Sequence, residues 1–235
     1  MGINDAIAKI EERILAACAR SGRDRAGVRL MGVTKFHQRP LVEEAWNAGL
    51  RLFGESRVQE ATAKFSDFQK DFPGTELHLI GALQRNKVKS AAPLFDCIES
   101  VDRDELIDAL GALSGVPSPR REPLSILLEL NAGEISKGGY AGEDSLFRGV
   151  ERTLAFPRLK IRGLMTMAPF TDDKAAIRKA FRNLRLVRDK LKARFPEEDW
   201  SILSMGMSGD FEIAIEEGST LIRIGTALFG ERVTP

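Results

Sequence analysis

Short β-type runs recur along the chain, near residues 28–33, 51–53, 77–80, 95–98, 124–130, 160–165, 200–203 and 221–224. Stretches of helical character separate them, near 39–48, 57–70, 84–91, 102–113, 142–155, 173–193 and 209–217. Strands that alternate with helices run parallel, and the helices must then cover the sheet from outside. Eight such runs predict an α/β fold, a single (β/α)8 TIM-type barrel, with a doubly wound open sheet as the alternative. Ahead of the first run, Ile3, Ile7, Ile10 and Ile14 fall at helical spacing, so residues 4–20 read as an amphipathic helix that stops before Gly22. With 43% hydrophobic residues among 235, the chain has enough apolar surface for one full core. No fixed-period repeat, low-complexity tract or linker divides it, and the loop Ser114-Gly-Val-Pro-Ser-Pro119 only joins a helix to the next strand. One domain over residues 1–235 is the expectation.

The bulk chemistry excludes several functions. A net charge of +1 points to neither nucleic acid nor an acidic membrane surface. Cys18 and Cys97 form no CxxC pair, which fits a reducing, cytoplasmic setting. Asp5, Lys9, Glu11, Glu12 and Arg13 interrupt any leader-like apolar run, and no stretch approaches the length of a membrane span. Two histidines, His37 and His78, make no recognisable zinc or iron site, and there is no GxSxG elbow or Walker loop. The stretch 174–194 is strongly basic, with Asp189 its one acid. It reads as a solvated outer helix, or as a docking surface for acidic proteins or RNA.

In a barrel of this kind the functional loops follow the C-terminal ends of the strands. The unusual residues fall there: Lys35, Gly54-Glu55, His78, Asn131, Met165-Thr-Met-Ala-Pro169, Ser204 onward and Arg223 onward. Lys35 ends the apolar run Arg29-Leu-Met-Gly-Val-Thr-Lys35. Desolvation there would lower the lysine's pKa and free a nucleophilic amine for imine formation; otherwise Lys35 is a surface lysine. Two glycine-rich turns, Ser204-Met-Gly-Met-Ser-Gly-Asp210 and Arg223-Ile-Gly-Thr226, follow the seventh and eighth strands, where barrels commonly bind phosphate. A lysine for an aldehyde, an anion cradle and a group facing a ring nitrogen are what pyridoxal phosphate requires. Arg223 would supply the last by donating to an unprotonated pyridine. His78 either orients the ring or lysine, or is a hydrogen-bonded structural residue.

The motifs then extend over the whole chain: Gly32-Val-Thr-Lys35; Phe53-Gly-Glu55 with Val58-Gln-Glu60; His78-Leu-Ile-Gly81 with Leu83-Gln84 and Asn86-Lys87; Lys137-Gly-Gly139; Gly163-Leu-Met165; Ser204-Met-Gly-Met-Ser208; and Gly218-Ser-Thr with Arg223-Ile-Gly-Thr226. In these the chain resembles the pyridoxal phosphate homeostasis proteins, alanine-racemase-like proteins of the barrel domain only. The resemblance implies that Lys35 forms the internal aldimine and that Arg223 faces the pyridine nitrogen. It further implies that Ser204, Ser208, Gly225 and Thr226 surround the phosphate, with Met165 and His78 beside the cofactor. The chain departs at Ser56-Arg57, where relatives commonly carry Asn-Tyr, so Ser56 stands in the asparagine's position near the lysine.

The resemblance also implies a protein that holds, buffers or delivers pyridoxal phosphate, with pyridoxal-phosphate-dependent apo-enzymes as candidate partners, and without established catalysis. Racemisation by a two-base route needs a second acid/base opposite the lysine. In two-domain racemases a tyrosine from an added β domain supplies it. Here Pro235 ends the chain just after the eighth unit, and the one tyrosine, Tyr140, belongs to the fifth βα connection. A monomeric, non-catalytic carrier is the expectation. The alternatives are an amino-acid racemase or lyase using Lys35 alone or with His78, and a Schiff-base aldolase acting on a phosphosugar.

Overall fold

The computed structural model describes residues 2–113, 123–133 and 138–231. The loop at 114–119, Lys137 of the Lys-Gly-Gly motif and Pro235 lie outside the described residues. Eight strands close in sequence order into a parallel barrel: β1 (Arg29–Val33), β2 (Leu52–Glu55), β3 (Glu76–Leu79), β4 (Cys97–Val101), β5 (Leu124–Glu129), β6 (Leu159–Met165), β7 (Ile202–Ser204) and β8 (Leu221–Ile224). Pairing of β8 back onto β1, with Arg29 opposite Leu221 and Met31 opposite Arg223, makes the closed (β/α)8 TIM-type barrel and rules out the open sheet.

Around it run α1 (Ile3–Ser21), α2 (Arg39–Asn47), α3 (Val58–Phe65), α4 (Phe68–Asp71), α5 (Val88–Ala91), α6 (Asp104–Gly111), α7 (Glu143–Leu154), α8 (Lys174–Arg194), α9 (Phe211–Glu216) and α10 (Thr226–Phe229). Ile3, Ile10 and Ile14 of α1 are buried, as their spacing requires. The large core lies between strands and helices. Inside the barrel, Met31, Val33, Leu52 and Leu221 form one small apolar cluster, and Cys97, Leu127 and Met165 form another. Strand side chains alternate between these two environments because successive residues point to opposite faces of the sheet.

Two strands reach further than their apolar runs suggest. β2 continues through Gly54-Glu55 and β4 through Glu99-Ser100 to Val101, and every one of these residues is buried. Polar residues end an apolar run in sequence, but in a barrel they remain on the ladder because neighbouring strands hydrogen-bond them. The helical stretch near 57–70 divides into α3 and α4, and 84–91 is a 3-10 turn over Arg85–Lys87 followed by α5.

Much of the basic charge of α8 is spent on neighbouring helices. Arg178 and Arg182 both donate to Glu217, and Arg178 also reaches Glu216. Lys190 pairs with Glu143 and Arg194 with Glu151 on α7. Among the described residues no helix is long and apolar enough to cross a membrane.

Candidate functional site

The C-terminal ends of parallel strands all open on one face, so the loops carrying Lys35, Ser56, Thr166, Ser208 and Thr226 share it. Lys35 lies two residues beyond β1 and is half-buried. A buried ionic clamp holds its backbone from both sides. Thr34 Oγ1 donates to Glu55 Oε1 at 2.6 Å, and Lys64 Nζ donates to the Thr34 carbonyl at 2.6 Å. Lys64 also lies 2.5 Å from Glu55 Oε1 and 2.9 Å from Glu60 Oε1. On the far side, Phe36 N donates to Glu60 Oε1 at 2.5 Å. Phe36 has φ +70°, the one positive φ of a non-glycine among the described residues. Backbone strain of this kind persists only where the surroundings over-determine it. Burial raises the Glu55 pKa above the ordinary carboxylate value against the opposing pull of Lys64 and Thr34, and its second oxygen, Oε2, is buried without a hydrogen bond.

Lys35 and Ser56 line a groove of ≈ 610 Å³ together with Gly81, Leu83, Gln84 and Lys87. A Cβ at Gly81 would lie 2.3 Å from the Ser56 carbonyl oxygen, so any other residue there would push the two loops apart. On the other flank, a Cβ at Gly225 would lie 3.6 Å from Val33, and the His37 and Phe229 rings sit 5.2 Å apart. The lysine loop is thus seated between the β2 and β8 loops.

Arg223 is buried inside the barrel mouth, 4% exposed. Its Nη1 donates to Ser204 Oγ at 2.6 Å and its Nη2 to the Thr166 carbonyl at 2.9 Å. Ser204 Oγ donates in turn to Glu99 Oε2 at 2.5 Å. Glu99 Oε1 accepts from His78 Nδ1 at 2.6 Å, and His78 Nε2 donates to Glu76 Oε1 at 2.8 Å. Arg29 closes the chain at the barrel floor, 2.6 Å from Glu76 Oε2. Burial alone would lower the His78 pKa, but hydrogen bonds to Glu76 and Glu99 outweigh it and raise the pKa to about 9. Burial likewise opposes the charge on Glu99, yet His78 and Arg223 hold its pKa below the ordinary value. His78 is therefore an imidazolium with both ring N–H groups committed. A hydroxyl has one proton, and Ser204 gives its proton to Glu99. The Ser204 side chain, which the sequence resemblance puts near the phosphate, here joins Glu99 to Arg223.

The two late turns meet. Ser208 Oγ accepts from Ala227 N at 3.3 Å, which leaves the Ser208 proton available to an anion beside Gly225 and Thr226. Gly206, at φ +99°, turns the chain so that its carbonyl accepts from Arg223 N at 2.9 Å. A Cβ there would meet Phe211 Cα at 2.9 Å. Met165 is 1% exposed and packs below the mouth with Cys97 and Leu127.

Sequence reading missed Glu99, Glu129 and Lys64, and named Thr166 only within the stretch Met165-Thr-Met-Ala-Pro169. An acid at the inward-facing third position of the buried strand Cys97-Ile-Glu-Ser-Val101 was a usable signal, as was the i,i+4 pair Glu60–Lys64. Glu129 ends β5, and burial and the nearby Asp102 charge raise its pKa to about 7 against the pull of Arg223. Tyr140 is locked away: its hydroxyl donates to Asp104 Oδ1 at 2.9 Å, and burial and that contact push its pKa up.

Residues 7–233 match the family model of the alanine racemase N-terminal domain. The pyridoxal phosphate homeostasis protein of Aquifex aeolicus is 40% identical over 233 residues, covering 99% of each chain. The chain belongs to that family. PipY of Synechococcus elongatus, solved with PLP bound, superposes with a TM-score of 0.80 at 35% identity, over 94% of this chain and 100% of that one. Alanine racemase from Bacillus anthracis shares the fold, with a TM-score of 0.70 at 17% identity, over 98% of this chain and 57% of the racemase.

Proposed function

We propose that this chain is a single-domain, monomeric carrier of pyridoxal 5'-phosphate in the cytoplasm, which holds the cofactor reversibly on Lys35 and releases it to apo-enzymes. The observation that carries the reading is Arg223, anchored at two points inside the barrel mouth and lying on β8 opposite Met31 of β1, the strand that leads into the lysine loop. Pinning two of its N–H groups leaves others for a ring nitrogen.

The residues fit the group. Lys35 supplies an amine beside a groove of ≈ 610 Å³, and Ser208, Gly225 and Thr226 supply hydroxyl and backbone donors for the phosphate. When bound, the cofactor supplies an aldehyde that condenses with an amine, releasing water, and a ring that withdraws electrons. The clamp of Thr34, Glu55, Glu60 and Lys64 orients the lysine backbone. Arg223 would donate a hydrogen bond to the ring nitrogen while keeping its own proton, and the ring would then be a weak electron sink. Tyr140, bound to Asp104, is no acid or base for the face opposite the lysine. These features favour holding over turnover.

The test is borohydride reduction of the protein loaded with pyridoxal phosphate, followed by peptide mass analysis. A phosphopyridoxyl adduct on the peptide containing Lys35, absent in Lys35→Ala, is expected. Unreduced loaded protein should also restore activity to a pyridoxal-phosphate-dependent apo-enzyme. An adduct confined to another lysine, or a cofactor that never leaves, would overturn the proposal.

A further inference from the structure

We infer that Glu99 is a positioning residue for Arg223: acting through the Ser204 hydroxyl, it sets how firmly the guanidinium is held against the cofactor ring and so how fast the cofactor leaves. The inference rests on the reading of Arg223 given above.

Glu99 is fully buried in β4, on the opposite side of the barrel interior from β8. Both of its oxygens are engaged, one by His78 at 2.6 Å and the other by Ser204 at 2.5 Å. An anion at this place decides the direction of the next bond. Ser204 must turn its proton toward the carboxylate, and its lone pairs are then the acceptor for Arg223 Nη1 at 2.6 Å. The serine also acts as a spacer. A carboxylate in direct bidentate contact would take two N–H groups of the guanidinium and draw it down into the barrel. Through the hydroxyl it takes one, while the Thr166 carbonyl takes another. The guanidinium is held from two sides without being fully consumed. His78, bonded to Glu76 as well as Glu99, keeps the carboxylate from rotating.

Replacing Glu99 by glutamine keeps the volume and reverses this polarity. With His78 donating to the amide oxygen, the amide NH₂ faces Ser204, and the serine must accept from both neighbours while its own proton lacks an acceptor in a buried site. Ser204→Ala removes the link with the least disturbance to packing.

The experiment uses the full chain loaded with pyridoxal phosphate. It reads the visible absorption band of the lysine-linked cofactor, the pH titration of that band, and the release rate into an excess of apo-enzyme as trap. Ser204→Ala and Glu99→Gln should each speed release about tenfold or more and displace the pH titration. Ser204→Thr, which keeps the hydroxyl, should restore both. Arg223→Lys should show the same displacement, and adding Ser204→Ala to it should change little further. If Arg223→Lys moves the band while Ser204→Ala and Glu99→Gln behave as wild type, the positioning role is overturned and the carrier reading stands. If the variants speed release only in proportion to lost thermal stability, with the pH titration unmoved, a merely structural role replaces it. If Arg223→Lys itself leaves band and release unchanged, the reading of Arg223 fails and the inference with it.

Discussion

Lys64→Met is the sharpest probe of how the lysine loop is held. Lys64 is buried, and its Nζ contacts Glu55, Glu60 and the Thr34 carbonyl at 2.5, 2.9 and 2.6 Å. Methionine fills most of the volume but leaves the fully buried Glu55 carboxylate without its cation. Breaking a buried pair by removing one partner costs about 3–5 kcal/mol. For a chain of this size that corresponds to a fall in Tm of roughly 6–20 °C. The sign of its pH dependence follows from Glu55, whose pKa is raised in the folded protein already. The folded state then binds the proton more tightly than the unfolded state, so stability falls as pH rises above the unfolded carboxylate value. Loss of Lys64 raises the folded value further and steepens that fall. Urea denaturation of the cofactor-free protein at pH 5.5 and pH 8 should therefore show a larger deficit at pH 8. The double variant Lys64→Met/Glu55→Gln should recover much of the loss, because replacing both charges removes the unpaired ion. A single variant with equal deficits at both pH values, or a double variant no better than the single, would refute the account. Cofactor affinity should fall in the single variant too, since the Thr34 carbonyl loses a donor next to Lys35.

Three further outcomes follow from the geometry. Gly206→Ala forces a Cβ to within 2.9 Å of Phe211 Cα at φ +99°, so a loss of about 1–3 kcal/mol in chemical denaturation is expected, together with weaker cofactor binding because the same residue's carbonyl holds Arg223. Stabilisation from His78, whose folded pKa is about 9 against 6.5 unperturbed, is fully present below the unfolded value and is lost as pH rises through about 9; melts of the cofactor-free protein between pH 6 and pH 10 should show an alkaline decline on the order of 3 kcal/mol. Glu76 and Glu99, whose pKa values are depressed, contribute the opposite limb, lost on acidification below the ordinary carboxylate range. Glu217→Ala removes the shared acceptor of Arg178 and Arg182, and a loss of about 1 kcal/mol, shrinking in high salt, is the expectation.

The strand rhythm made the barrel legible, because eight short runs with intervening helices leave little choice of architecture. The placement of Lys35, Ser208, Gly225 and Thr226 on one face followed from their being just past strand ends. Glu99 stands out in the sequence as an acid within a buried strand, but its partners are not legible there. An acid in a strand has no local signal for what faces it across a closed barrel, and its partners lie 21 and 105 residues away in the chain. His78 shows the same limit from the other side: its residue type left open a role beside a ligand or a hydrogen-bonded structural role, and the two carboxylates that engage its nitrogens come from Glu76 and Glu99.

From sequence alone came the parallel eightfold pattern, the end of the barrel that carries the loops, and the lysine and glycine turns, all of which depend on local periodicity and chain order. Tertiary structure alone decided which polar side chains meet inside the closed barrel. Strand register sets those meetings: Met31 falls opposite Arg223, and Ser204 reaches Glu99 across the interior. The lysine was visible in the chain, but the clamp that aims it and the buried relay that holds Arg223 come into being only when distant strands close on one another.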